Sequence, residues 1–233
     1  MRRFREIAIS ILALIFLTGW GDYERVECLS DQEQLPVYKV TVELEHREGS
    51  ATVVIIAPGY ALTAAHVVRK PVLSISILTP KGPRAASVVS VDTLNDLALL
   101  TLDTRGLDYL PVYIGDLEPG RVIWTAGFPE KGGISFRGPL LRAEEGLLIV
   151  GALVFPGMSG GPVIVCEGGR PYIAGSISSF NYRLYRYWNM PGGGVHEEIV
   201  NTGTGNATGG LLISVFIDYA IELYEEEREK KRK

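Results

Sequence analysis

Hydrophobic and polar residues alternate strictly over residues 39–45. Val40, Val42 and Leu44 occupy every second position, and polar residues stand between them. A period of two puts one set of side chains on each face of an extended chain, so this pattern predicts a half-buried strand. Pro36 closes the polar stretch that precedes it and favours a strand start nearby.

Short runs rich in β-branched residues recur along the rest of the chain. They occupy residues 52–56, 72–78, 86–91, 97–102, 121–126, 147–150, 163–165 and 172–177. Turn residues such as Pro58-Gly59 separate them. Many short strands with turns between them are typical of an all-β sandwich or barrel and not of alternating strands and helices.

One long helix is predicted at the end of the chain, over about residues 218–231. Asp218 can cap its first turn, and acidic residues precede basic ones, the order that complements a helix dipole. Apolar residues recur with helical spacing at Ile217, Ala220, Ile221 and Tyr224.

Composition indicates an ordinary globular protein. Of the 233 residues, 46% are hydrophobic and 21% are charged, and the formal net charge is −4. Nucleic-acid binding depends on clustered Lys and Arg, so we expect no nucleic-acid partner.

Residues 1–21 have the pattern of a targeting segment. Three arginines stand within the first five residues, and residues 7–17 are an apolar run too short for a comfortable membrane span. We expect a signal peptide cleaved near Asp22, or alternatively an uncleaved N-terminal anchor, which would be the protein's only attachment to a membrane. Either predicts export to the periplasm, the cell surface or the medium. Residues 22–36 form a polar N-terminal segment.

The chain contains two cysteines, Cys28 and Cys166. They could form one disulfide in an oxidising compartment, or Cys166, which follows an apolar run, could be a buried small hydrophobe. His46 and His196 lack the clustering that a metal site requires, so we expect no metal and no organic cofactor.

Residues 157–162 read Gly-Met-Ser-Gly-Gly-Pro and supply a candidate nucleophile, Ser159. Acyl transfer from a peptide needs a nucleophile, a base, a group that orients the base and donors for the oxyanion. Glycines allow a tight turn that exposes the serine hydroxyl and directs the N–H groups of Gly157 and Ser159 to one point. The alternative is a glycine-rich hairpin with an idle serine.

A candidate base and a candidate acid precede this serine. His66 ends the sequence Ala-Leu-Thr-Ala-Ala-His, and Asp96 opens an apolar run in Asn-Asp-Leu-Ala-Leu-Leu, where a carboxylate can sit beside the core and orient an imidazole. Asp92 and Asp103 are rival acids, but the same apolar run follows neither.

Together, Thr-Ala-Ala-His, Asp-Leu-Ala-Leu-Leu and Gly-x-Ser-Gly-Gly-Pro resemble the motifs of the chymotrypsin-like serine proteases, within them the HtrA-type (DegP-like) branch. The resemblance covers roughly residues 37–224. It implies a trypsin-like protease domain over 37–233 with two six-stranded antiparallel β-barrels. The first barrel would span about 37–115 and the second about 116–217, with the active site between them.

The resemblance also implies a reaction. His66 would take the proton of Ser159, Asp96 would orient His66, and the N–H groups of Gly157 and Ser159 would form the oxyanion hole. We therefore expect an exported serine endopeptidase that acts on unfolded or secreted proteins. A catalytically silent binding or chaperone module is the alternative.

Two features depart from the HtrA pattern. HtrA enzymes usually carry C-terminal PDZ domains, and we expect none here because the sequence ends after the predicted helix; the oligomeric state stays open. Residues 181–210 are longer than the family's segment and rich in Tyr, Arg and Gly. They could form a mobile binding lid or a surface loop packed on the barrel.

The resemblance places the specificity pocket near four residues, Leu153, Ser178, Ser179 and Phe180. Since none is acidic, a substrate Lys or Arg would be buried there without a partner. Phe180 stands where deep pockets keep a glycine. We expect cleavage after small or medium aliphatic residues.

Overall fold

The computed structural model describes residues 28–29, 35–69, 71–129, 132–144, 146–181, 185–189, 195–199 and 204–232. The predicted targeting segment, residues 1–21, lies outside these ranges. In the part of the chain that is described, no helix combines the length and the apolar character needed to cross a membrane.

The first barrel consists of six antiparallel strands that close in the order β1-β2-β3-β6-β5-β4. A one-turn helix, α1 (Ala65–Val68), follows the third strand. The strands are β1 (Val37–Leu44), β2 (Arg47–Ala57), β3 (Tyr60–Ala64), β4 (Val72–Thr79), β5 (Gly82–Asp92) and β6 (Leu97–Leu102).

The second barrel also closes with six antiparallel strands, in the order β10-β11-β14-β9-β8-β7. Its strands are β7 (Val122–Gly127), β8 (Ile134–Glu144), β9 (Leu147–Val150), β10 (Pro162–Glu167), β11 (Arg170–Asn181) and β14 (Thr204–Gly209). Strands β12 (Tyr185–Asn189) and β13 (Val195–Ile199) pair separately as a hairpin. The predicted all-β class with two six-stranded barrels and a C-terminal helix is confirmed.

The second half of strand β2, residues 53–57, is continuously apolar rather than alternating. Val53 and Ile55 pack in the interior of the first barrel. Val54 and Ile56 belong to a second cluster, which also contains residues of the second barrel and the C-terminal helix. Both faces of this half of the strand are therefore buried, which explains the unbroken run of apolar residues. This cluster packs residues of both barrels and of the C-terminal helix together.

The C-terminal helix, α2 (Gly210–Arg232), begins earlier than predicted. Asp218 does not cap it but lies exposed within it. Ile213 and Phe216 are 0% and 8% exposed and extend the buried face by more than one turn before Ile217. Tertiary burial of this earlier face explains the difference, and the second barrel accordingly ends at Gly209 rather than at residue 217.

Strand β14 occupies part of the stretch predicted as a loop over residues 181–210. Its small residues suppress the usual strand signal, but tight packing requires one of them. A Cβ on Gly205 would lie 2.6 Å from Cγ2 of Val154. The glycine-rich sequence therefore reflects close approach within a barrel and not a free loop.

Cys28 and Cys166 form a disulfide, with their Cα atoms 5.6 Å apart. This result selects the disulfide from the two alternatives for Cys166. It ties the segment before the first barrel to β10 in the second.

Candidate active site

Asp96 occupies the turn between β5 and β6 and is held in a left-handed conformation, with φ of 55°. Asp92 shapes this turn: its Oδ1 accepts the N–H groups of Leu94 and Asn95 at 2.9 and 3.1 Å. From the second barrel, Thr208 donates its hydroxyl to the carbonyl of Asn95 at 2.6 Å. The turn that carries Asp96 is therefore fixed from both barrels.

The carboxylate of Asp96 contacts two nitrogens of His66, the backbone N–H and the ring Nδ1. Oδ1 accepts the backbone N–H of His66 at 2.9 Å, and Oδ2 lies 2.8 Å from the ring Nδ1. With Nδ1 donating to the carboxylate, Nε2 carries the free lone pair and can accept a proton. The His66 side chain is 41% exposed, so the ring is partly accessible to solvent.

Ser178 reaches the same carboxylate from β11, donating its hydroxyl to Oδ2 at 2.5 Å. Burial opposes ionisation of Asp96, but the hydrogen bonds from His66 and Ser178 outweigh it, so the pKa of Asp96 lies below its ordinary value. Asp96 is therefore an anion at neutral pH and can stabilise a charged imidazole.

The two rival acids have other partners. Asp92 caps the turn before Asp96, as described, and also accepts the side-chain amide of Asn95 at 2.6 Å. Asp103 pairs with Arg84 and Arg105 at 3.1 and 2.6 Å. Neither forms a hydrogen bond to His66 among the described contacts.

Ser159 lies in a tight loop between β9 and β10, where Gly157 and Gly160 have φ of 95° and 80°. The N–H groups of Met158, Gly160 and Gly161 donate to the carbonyls of Phe155, Ile177 and Met158 at 2.7–3.0 Å. Among the described residues, the N–H groups of Gly157 and Ser159 donate to none. These two groups are the predicted oxyanion donors, and they remain free to bind an external oxygen.

The Gly160 position tests how closely this loop approaches the first barrel. A Cβ there would lie 2.3 Å from Thr63 Oγ1 and 2.5 Å from the carbonyl of Thr52. Gly59 has a similar φ of 85° but no neighbour within 4 Å. We expect Gly160→Ala to lower the free energy of unfolding by about 2–5 kcal/mol, combining overpacking with backbone strain. Gly59→Ala should cost only about 1–2 kcal/mol, from the strain alone.

Urea unfolding of the two variants measures both costs. Equal losses of stability would contradict the close contact at Gly160.

The structure brings His66, Asp96, Ser159, Ser178 and Ser179 to one cleft of about 450 Å³, which also contains Arg69 and Thr93. Within the described residues there is no hydrogen bond between the hydroxyl of Ser159 and the ring of His66. Catalytic hydrogen bonds often shorten only when substrate is bound. The arrangement places the candidate nucleophile, base and orienting acid in one solvent-accessible cleft.

The predicted substrate-binding residues differ in their surroundings, and of these Ser178 and Ser179 line the cleft. Leu153 is 45% exposed and stands outside the lining of the cleft, with its carbonyl accepting the hydroxyl of Thr125 at 2.9 Å. Ser179 is exposed and accepts a hydrogen bond from the amide of Asn206 at 3.3 Å. Phe180 pairs with Gly205 in the sheet, and its side chain lies outside what the structure describes.

Sequence reasoning missed the contact between Ser178 and Asp96 and placed Ser178 only in the specificity pocket. It also missed Thr52, which is fully buried in β2 beside the loop of Ser159. No local signal marks either residue, because the partners are distant in sequence and meet only where the barrels face each other.

No group of three or more His, Cys, Asp or Glu side chains that could hold a metal ion occurs among the described residues.

Solved structures of similar fold include the serine endoprotease from Yersinia pestis, with a TM-score of 0.64 and 22% identity over 80% of this chain and 63% of that one. The HtrA-type protease AlgW, solved with a tripeptide, has a TM-score of 0.62 and 22% identity over 80% of this chain and 60% of AlgW. This chain thus covers less than two thirds of the length of either structure.

No curated protein sequence matches the chain. Comparison with protein-family models, in contrast, agrees with the fold. The family model for the trypsin-like peptidase domain matches residues 49–171, more than half of the sequence, and this region contains His66, Asp96 and Ser159. The chain therefore belongs to the trypsin-like peptidase domain family.

Proposed function

We propose that this protein is a serine endopeptidase in which Ser159 is the nucleophile, His66 the general base and Asp96 the acid that orients His66. The observation that carries the proposal is the double attachment of His66 to Asp96, through its backbone N–H and its ring Nδ1, in the cleft that contains Ser159. A surface histidine would not need both contacts, whereas a base must be held in one orientation and one tautomer.

The reaction follows from this geometry. The hydroxyl oxygen of Ser159 attacks the scissile carbonyl carbon while Nε2 of His66 removes the hydroxyl proton. The charged imidazole is stabilised by Asp96 and passes its proton to the leaving amine as the C–N bond breaks. Water then attacks the acyl carbon while His66 takes one of its protons. The C–O bond to Ser159 breaks as His66 returns that proton to the Ser159 oxygen, and the carboxylic acid product leaves.

The oxyanion of the tetrahedral intermediate would bind to the N–H groups of Gly157 and Ser159. Support comes from the hydrogen bonds of the loop, in which the neighbouring N–H groups are already used and these two are not, among the described residues. A preorganised donor of this kind contributes about 10²–10³ in rate.

We infer that the protein is exported to the periplasm, the cell surface or the medium, and acts there on unfolded or secreted proteins. The disulfide between Cys28 and Cys166 supports this, because disulfides persist mainly in oxidising compartments. The N-terminal sequence pattern of residues 1–21 is consistent with the same destination.

A fluorophosphonate probe tests the proposed function directly, since it reacts with an activated serine and not with an ordinary hydroxyl. We expect mass spectrometry to find one adduct on Ser159 of the folded protein and none on the Ser159→Ala variant. Folded wild-type protein that does not react would favour the catalytically silent binding or chaperone module.

Substrate preference is a separate prediction. We expect cleavage after small or medium aliphatic residues such as Val, Ala or Leu, because Leu153, Ser178, Ser179 and Phe180 offer no carboxylate to a buried Lys or Arg. Each methylene of the substrate side chain should change the preference by only about 1–3 kcal/mol. A peptide-library digest read by mass spectrometry measures this preference.

The Leu153→Asp variant is the matched test of the pocket. If Leu153 lies at the pocket floor, the new carboxylate should shift cleavage toward Lys and Arg. A wild-type preference for Lys or Arg would show that the pocket lies elsewhere.

A further inference from the structure

Thr52 lies on β2 of the first barrel, at the point where it meets the loop of Ser159 in the second. It is a polar residue but is 0% exposed, and the residues that follow it on the strand, 53–57, are all apolar. A buried hydroxyl at such a position is costly unless it forms hydrogen bonds. Its partners therefore indicate what the hydroxyl does.

The hydroxyl of Thr52 bridges two segments of the second barrel. It donates to the carbonyl of Gly157 at 2.8 Å and accepts the N–H of Phe128 at 2.8 Å. The backbone N–H of Thr52 donates to the carbonyl of Ser159 at 2.9 Å. The carbonyl of Thr52 in turn accepts the hydroxyl of Thr63 at 2.7 Å, which links this contact to β3, the strand that leads to His66.

Thr52 thus donates hydrogen bonds to the carbonyls of Gly157 and Ser159. The N–H groups of these same two residues are the proposed oxyanion donors. Gly157 has no Cβ and a positive φ, so nothing in its own side chain restrains the peptide plane. Met158, the residue between the two donors, is 0% exposed and apolar, and its side chain has no hydroxyl or charge to orient them. Two hydrogen bonds orient the peptide between Gly157 and Met158: the Met158 N–H donates to the carbonyl of Phe155 within the loop, and the Gly157 carbonyl accepts the hydroxyl of Thr52 from the first barrel.

We propose that Thr52 is a positioning residue for the oxyanion hole, which couples the first barrel to the donor geometry of the second. This inference rests on the proposed function. Misplacement of a reacting group by 1 Å can cost about 10²-fold in rate, so a hydroxyl that fixes Gly157 has a kinetic effect without touching substrate.

The test compares Thr52→Val with Thr52→Ser. Valine keeps the shape of threonine but lacks the hydroxyl, leaving the carbonyl of Gly157 and the N–H of Phe128 unpaired, whereas serine keeps the hydroxyl and loses only a methyl group. We expect Thr52→Val to lower kcat for peptide cleavage by about 10–100-fold with a much smaller change in KM. Thr52→Ser should restore kcat to within a few-fold of wild type.

Thr79→Val is the matched control. Thr79 is also buried, at 5% exposure, and its hydroxyl donates to the carbonyl of Gly82 at 2.7 Å in the hairpin between β4 and β5, apart from the Ser159 loop. It should lower the melting temperature and leave kcat unchanged. If Thr52→Val does not fold, Thr52→Ala replaces it. Both Thr52→Ala and Thr52→Ser lack the methyl group, so their comparison still isolates the effect of the hydroxyl.

Wild-type kcat in Thr52→Val would overturn the role of Thr52 and leave the proposed function intact. Equal loss in Thr52→Ser and Thr52→Val would also overturn it, since packing and not the hydroxyl would then matter. A folded wild-type protein that neither cleaves peptides nor reacts with the fluorophosphonate would refute the proposed function, and the Thr52 proposal would fall with it.

Discussion

Replacement of Ser159 or His66 by alanine is expected to abolish peptide cleavage while the protein stays folded. The members of a catalytic triad act as one unit, so loss of either the nucleophile or the base should lower kcat by about 10⁶. Both side chains lie at a cleft: Ser159 is half-buried and the His66 side chain is 41% exposed. Truncation therefore opens no large cavity, and the melting temperature should change little.

The measurement is the initial rate of cleavage of an unfolded protein substrate, with circular dichroism to confirm the fold. Ser74→Ala and His46→Ala are matched controls. Ser74 is an exposed serine whose hydroxyl donates to Glu43, and the His46 side chain is 87% exposed. Both controls should retain wild-type rates, and near-wild-type turnover in Ser159→Ala or His66→Ala would refute the assignment.

Asp96→Asn should preserve the fold and lower kcat by about 10⁴. The asparagine oxygen can still accept the backbone N–H of His66, but an amide NH₂ in place of Oδ2 would face Nδ1 and the hydroxyl of Ser178. Because NH₂ cannot accept a hydrogen bond, the imidazole would adopt the tautomer protonated on Nε2. That tautomer cannot take the proton of Ser159.

Asp92→Asn is the comparison that tests the choice of acid. Its side-chain oxygen can still accept the N–H groups of Leu94 and Asn95, so the turn should persist and activity should change little. If Asp92→Asn were the crippling change and Asp96→Asn were not, the acid would have been misassigned. Cleavage rates at neutral pH distinguish the two outcomes.

Local sequence patterns predicted the strands whose burial is reflected in the hydrophobicity of their own residues. The strand at residues 97–102 has the predicted boundaries because both of its faces are buried, so every position except Thr101 is apolar. The strand at 147–150 was predicted with the same accuracy. Strand β8 (Ile134–Glu144) was missed because its burial alternates around Gly138 and Pro139, which read locally as turn residues.

Elements whose structure depends on contacts with residues distant in sequence could not be predicted from local patterns. Strand β14 has a glycine-rich sequence that only the close approach of Val154 explains. Helix α2 begins at Gly210 because Ile213 and Phe216 bury against the cluster between the barrels. The partner of Cys28 is separated from it by 138 residues, and sequence left their pairing open.

The sequence by itself determined the all-β class, and it proposed three residues as a triad, because short motifs carry the candidate nucleophile, base and acid together with the backbone that those roles require. Only the tertiary structure decided how these motifs are held. Ser178 reaches Asp96 across 82 residues, and Thr52 reaches Gly157 across 105. A hydrogen bond between barrels depends on how closed sheets face each other, and that geometry is set by the packing of the whole chain and by no local pattern.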